Sequence, residues 1–260
     1  MRRAVDLNFS RTTQVRIRRA LAKMLDAYGP QGWWPVWAER RRFANPHGER
    51  EQHGYHPEQF ALPATRRGRW EVVCGAVLTQ NTAWTNVERA LGELRKAKLQ
   101  SPESVLACPV SELSAIIRPA GYFNQKSKYL IQVANWFCDH DVRLCCASAS
   151  RAVLEQVRPE LLRVKGVGPE TADSILLYAY HLPSFVVDAY TRRVFGRIGV
   201  VDERDSYERI RTLFEAALVL PDAVTTVRHW QEAHALIVEH AKRFHTRGAA
   251  ENQDFLTGLR

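Results

Sequence analysis

Apolar residues recur along the chain at three- and four-residue intervals, and alternating patterns of the strand type are nearly absent, so the sequence predicts an all-α protein. Trp70, Val73, Cys74, Val77 and Leu78 trace one helix face. Val87, Ala90, Leu91 and Leu94 trace a second, and Leu130, Val133, Ala134 and Phe137 a third. Ser101-Pro102 and Cys108-Pro109 place a proline just inside two helix starts, while Arg118-Pro119-Ala120-Gly121 stops the helix that runs through Leu113 and Ile117. These signals predict about six short helices between Trp70 and His181. Three more are expected over Ala189–Ile198, Tyr207–Leu218 and Val227–Phe244. Residues 39–68, rich in Gly, Pro and charge and without periodicity, read as a long surface loop. No internal repeat is evident.

The 260 residues are 45% hydrophobic and 25% charged, enough for one large core or two smaller ones and too apolar for a disordered chain. Lys and Arg number 37 against 28 Asp and Glu, a net +9, which points to a polyanionic partner; ribosomal and membrane-surface proteins share that footprint. Much of the excess is arginine, whose forked guanidinium suits phosphate. No apolar run reaches the length of a membrane span and no secretion signal opens the chain, so a cytoplasmic protein without a membrane partner is expected. The basic stretch Met1–Ala20 reads as a helix with a solvated basic face, or as a transit peptide. Five cysteines without a C-x-x-C pair make neither a disulfide framework nor a thiolate metal site. His47, His53 and His56 are expected to be solvated side chains of the loop, so no metal and no cofactor are assigned.

The segment Leu162-Arg163-Val164-Lys165-Gly166-Val167-Gly168-Pro169-Glu170-Thr171-Ala172 fits a helix-hairpin-helix. Two glycines allow the reversal and bare the backbone for a phosphate, Val167 plugs between the helices, and Pro169 suits the first position of the second helix. Lys165, Gly166, Val167, Gly168, Glu170 and Thr171 are therefore candidate DNA contacts, although an ordinary turn with two glycines would read similarly. Downstream, Phe185-Val186-Val187-Asp188 sets one acid behind three apolar residues. Breaking an N-glycosidic bond builds positive charge on the sugar, so a carboxylate held there can stabilise it or activate water. Asp188 also suits the N-cap of the helix from Ala189, and the two roles are compatible. Arg192 and Arg193 are phosphate clamps or a solvated helix face.

A hairpin of the form L-x-x-x-G-V-G-x-x-x-A followed about twenty residues later by an aspartate resembles the endonuclease III superfamily of helix-hairpin-helix DNA glycosylases. Gly75–Thr82, Arg118–Lys126 and Gly32-Trp33-Trp34-Pro35 make the chain similar to the bacterial 3-methyladenine DNA glycosylase branch, which lacks an iron–sulfur cluster. The resemblance implies a six-helix domain over 69–181, a second helical domain from 1–68 and 182–260, and a cleft between them lined by Asp188 as the catalytic residue. It implies that Trp33, Trp34, Pro35 and Trp84 form the pocket for an extruded base, and that Gln80 or Asn81 fills the gap left in the duplex. Stacked indoles attract a cationic base such as 3-methyladenine most. Trp70, Trp136 and Trp230, on helix faces, read as core.

Two departures shape the expectation. Bifunctional members carry a lysine two residues beyond the second glycine, where this chain has Glu170, which implies a monofunctional enzyme. Many relatives bind a [4Fe–4S] cluster with C-terminal cysteines, whereas no cysteine follows Cys146 and His245 stands near where the first ligand would fall. The expected partner is double-stranded DNA with a damaged base, engaged by a monomer. The competing readings are a bifunctional glycosylase and lyase, a mismatch or uracil glycosylase, and a noncatalytic damaged-DNA-binding protein.

Overall fold

In the computed structural model, residues 9–42, 53–245 and 254–259 are described. Among them no strand occurs and no helix is long and apolar enough to cross a membrane; the chain is all-α. The helices are α1 (Arg11–Tyr28), α2 (Arg66–Leu78), α3 (Trp84–Lys96), α4 (Pro102–Ala107), α5 (Val110–Ile116), α6 (Phe123–Leu144), α7 (Arg151–Leu162), α8 (Pro169–Ser174, continued by a π-helical turn Ile175–Ala179), α9 (Ala189–Arg197), α10 (Tyr207–Leu218) and α11 (Ala223–Phe244). From α2 to α8 there are seven, where the spacing predicts about six. Pro102 occupies the first turn of α4, whereas Pro109 is the N-cap of α5, one position earlier than expected. Helix α11 begins a turn before Val227 because Asp222 caps it, accepting from the Thr225 amide.

The chain divides into two compact units, Trp34–Pro183 and the two chain ends up to Trp33 and from Ser184. The middle unit starts at Trp34, whereas the resemblance implies residue 69, and hydrogen bonds between residues far apart in the chain account for the difference. The Glu39 side chain, 2% exposed, accepts hydrogen bonds from the amides of Ala64 and Thr65 and from the Thr65 hydroxyl, pinning this stretch to the start of α2. Glu71 accepts from the amides of Trp37 and Ala38. Within the expected loop, Tyr55, His56 and Leu62 are buried, so its described part is packed structure; residues 43–52, with His47, lie outside the described residues. His53 is exposed as expected, but His56 is not solvated: its Nε2 lies 2.7 Å from the Trp34 carbonyl, and burial lowers its pKa.

Helix α2 is the axis of the middle unit, with Val72, Val73, Cys74, Ala76, Val77 and Leu78 all buried. One apolar face suffices for a surface helix; α2 is covered on all sides because α3, α6 and the π-helical turn all pack on it. Trp70 meets Phe137 of α6 edge-on at 5.2 Å. Below them Arg69 donates bidentately to Asp141 at 2.7 and 2.9 Å, a buried pair that Tyr180 completes with its hydroxyl. In the other unit Phe185 stacks on Phe214 at 4.8 Å, Phe195 meets Phe214 edge-on, and Trp230 closes the cluster. The basic face of α1 is partly committed: Arg16 donates to the carbonyls of Leu259 and Ile198, and Arg18 to that of Ala217.

Candidate functional site

Within the middle unit, α7 and α8 enclose the turn 163–168. Gly166 adopts φ +95°, and a Cβ there would lie 2.1 Å from the Tyr129 ring, so both the backbone and the packing require glycine. Val167 is 7% exposed between the helices. Gly168 is the extended N-cap of α8, and a Cβ added there would meet nothing within 4 Å, so this side of the backbone is open to a phosphate oxygen. Pro169 takes the first helical position. Lys165, Gly168 and Glu170 are exposed.

Two contacts hold this turn, and neither follows from the sequence pattern. Gln80 donates from Nε2 to the Gly166 carbonyl at 2.9 Å and to the Thr171 hydroxyl at 3.0 Å. Gln80 is thereby a brace of the hairpin, and Thr171, buried with its hydroxyl engaged, belongs to the same brace instead of the exposed surface. Asn81 next to it is exposed at φ +53°, a conformation asparagine tolerates. The second contact is Arg158 on α7, which donates bidentately to the fully buried Asp173 on α8 at 2.7 and 2.9 Å.

The aromatic residues expected to act together fall on both units. Trp34, 4% exposed, meets Trp84 edge-on at 5.3 Å and Tyr178 at 5.5 Å, and Pro35 beside it is buried. Tyr178, on the π-helical turn, is the member that sequence reasoning missed; it looks like any apolar position of a buried helix. A Cβ on Gly75 would sit 2.9 Å from Trp34 Nε1, which explains why the motif from Gly75 opens with glycine. Trp33 belongs to the other unit, where Lys242 Nζ lies 5.2 Å from its ring. The adjacent indoles thus part company at the boundary between units.

In that other unit the buried run Phe185-Val186-Val187 is fixed by hydrogen bonds from the Phe185 amide to Glu215 and from the Val187 amide to the Tyr207 hydroxyl. It delivers Asp188 to the N-cap of α9. Its Oδ1 accepts from the Thr191 amide at 2.6 Å and hydroxyl at 2.8 Å. Its Oδ2 lies 3.5 Å from His234 Nε2 on α11. Burial pushes the carboxyl pKa up, but His234 and the Thr191 donors outweigh it and the net shift is downward. Asp188, whose side chain is 12% exposed, is therefore an ionised, immobilised carboxylate suited to facing a developing cation. His234 carries no sequence signal that separates it from the other polar residues of α11. Arg192 and Arg193 are less free than expected for phosphate clamps: each donates through Nη1, to the carbonyls of Asp205 and His245 at 2.9 and 2.8 Å.

Residues 74–218 match the HhH-GPD superfamily of base excision DNA repair proteins. A protein of Methanocaldococcus jannaschii assigned as a DNA repair glycosylase is 38% identical over 221 residues, covering 85% of this chain and 84% of its own. Among solved structures, Helicobacter pylori 3-methyladenine DNA glycosylase bound to 1,N6-ethenoadenine has a TM-score of 0.61 at 23% identity, covering 88% of this chain and 97% of that one. Endonuclease III in a non-covalent complex with DNA has a TM-score of 0.65 at 19% identity, covering 95% and 94%. The two structures establish the fold, and the family match spans both the hairpin and Asp188. The chain therefore belongs to the HhH-GPD superfamily of base excision DNA repair proteins, in which it stands as a DNA glycosylase.

Proposed function

We propose that this glycosylase is monofunctional, acts as a monomer on duplex DNA, and removes alkylated purines such as 3-methyladenine, leaving an intact abasic site. The observation that carries the reading is Glu170: the exposed hairpin position that holds the Schiff-base lysine in bifunctional members offers a carboxylate instead of an amine. Hairpin backbone around Gly166 and Gly168, with Lys165, grips the phosphates. Asn81 occupies the gap left in the duplex. Trp34 and Trp84 receive the base, whose positive charge favours an indole face and makes it a good leaving group. Asp188 then stabilises the cationic sugar or directs water at it, and little acid catalysis is needed. The H. pylori glycosylase named for 3-methyladenine shares the fold and is consistent with this choice.

The test is to incubate the protein with methylated DNA and with uracil, thymine-mismatch and oxidised-base duplexes, scoring free base and strand breaks separately, before and after alkali. Release of 3-methyladenine with breaks only after alkali is expected. Breakage without alkali refutes monofunctionality, and preferential release of another base refutes the substrate class. Asp188→Asn, which still caps α9, is expected to fold normally and release base at least about a hundredfold more slowly.

A further inference from the structure

At the end of α11 three metal-ligating side chains converge in the interior. His240 is fully buried, Asp254 is 3% exposed and His245 7% exposed, and their ligand atoms lie within 4.8 Å of one another. His245 Nε2 is 3.1 Å from Asp254 Oδ2, and His240 Nε2 is 3.2 Å from Asp254 Oδ1. The second contact does not meet hydrogen-bond geometry, so a fully buried ring nitrogen faces the carboxylate without a bond to it. The opposite nitrogen of that ring, Nδ1, lies 2.8 Å from the Tyr28 hydroxyl. Phe244 and Phe255 pack against the His240 ring at 5.0 and 5.1 Å, making the walls apolar.

The Asp254 Oδ1 that faces His240 also accepts from the Leu256 amide at 2.8 Å, which fixes the carboxylate in place. A buried carboxylate demands a countercharge, and among the described residues the basic groups at ion-pair distance from Asp254 are these two imidazoles. If Tyr28 accepts the Nδ1 proton of His240, the Nε2 lone pair points at a carboxylate oxygen, an arrangement that a cation between them turns from repulsive to bonding. Two imidazole nitrogens and one carboxylate, with a hydroxyl orienting one imidazole from its far side, form a donor set that suits a borderline divalent ion. Tetrahedral bonds of about 2.0–2.1 Å separate neighbouring ligand atoms by roughly 3.3 Å, close to both His–Asp distances.

We propose that His240, His245 and Asp254 form a structural site for zinc or a similar first-row divalent ion. The ion ties the end of α11 to the C-terminal segment 254–259 and, through Tyr28, to α1. Enclosure among aromatic rings assigns it to folding and not to catalysis. It is independent of the substrate reading above.

The experiment uses the full-length, untagged protein loaded with zinc or cobalt(II), freed of excess ion, and measured for metal content and thermal midpoint. About one zinc per chain is expected, with a midpoint that rises on loading and falls with chelator. His240→Gln and His245→Gln should each retain less than about a tenth of the wild-type zinc, whereas Cys145→Ser/Cys146→Ser retains it all. If the histidine variants do not fold, cobalt-loaded wild type decides: visible bands without a thiolate charge-transfer band support the site. Wild type that retains less than about a tenth of an equivalent with an unmoved midpoint, histidine variants that keep full metal, or a thiolate band would each overturn the proposal.

Discussion

Nε2 of His234 lies 3.5 Å from Oδ2 of Asp188, joining the middle of α11 to the carboxylate that caps α9. The imidazole helps hold that carboxyl below its usual value of 3.8 despite burial, which by itself would raise it. A depressed carboxyl adds stability above its unfolded pKa and loses it as pH falls through the folded one. His234→Gln leaves burial opposed by Thr191 alone, so the pKa rises. The acid limb of the base-release profile should therefore move to higher pH in the variant, and an unmoved limb would remove His234 from the electrostatics of the site.

Gly166 and Gly168 should respond differently to a single methyl group. Gly166→Ala meets Tyr129 and a positive φ, and a loss of about 2–4 kcal/mol in urea unfolding is expected. Gly168→Ala has open space and an ordinary φ of −92°, so it should cost no more than about 1 kcal/mol, the penalty of alanine at an N-cap. DNA affinity, read by fluorescence anisotropy, should nevertheless fall, because on the proposed reading the methyl stands where a phosphate approaches. Affinity equal to wild type would remove Gly168 from the interface.

Gln80 and Asn81, neighbours in sequence, should separate into a structural and a functional residue. Gln80→Ala strips the Gly166 carbonyl of a donor and is expected to cost about 1–3 kcal/mol, weakening binding to damaged and undamaged duplex alike. Asn81→Gly keeps the left-handed backbone without strain, so its thermal midpoint should hold while base release from duplex falls more than release from single strands.

Lys126 is buried, donates to the carbonyls of Leu78 and Ala120 at 2.8 Å each, and is pushed down by burial to about 8 from 10.5. Between those values the folded protein has shed a proton that the unfolded chain keeps. Wild type should thus gain stability relative to Lys126→Met as pH rises from about 8 to 10.5, because fewer protons are bound in the folded state. A stability difference that stays flat with pH would mean that Lys126 titrates normally.

The all-α class, most helix positions, the hairpin and the N-cap at Asp188 were readable in the sequence because each rests on local rules: apolar spacing, glycine and proline at fixed offsets, and one acid at the start of a helix. Trp70, Trp136 and Trp230 are buried as their helix faces imply, for the same reason. The contrast between Glu170 and a lysine came from the resemblance, since it depends on one position of the family's motif.

What only the tertiary structure decided are contacts between residues far apart in the chain, where no period exists to read. Gln80 reaches Gly166 across 86 positions, and Arg69 reaches Asp141 across 72. Residues 53–68 lack periodicity yet are packed, because Glu39 satisfies the amides of Ala64 and Thr65 from a distant turn. The Asp188 partner, His234, and the convergence of His240, His245 and Asp254 likewise depend on where α11 ends up among its neighbours. A sequence specifies which side chains can bond, and only packing specifies which buried polar groups must find each other.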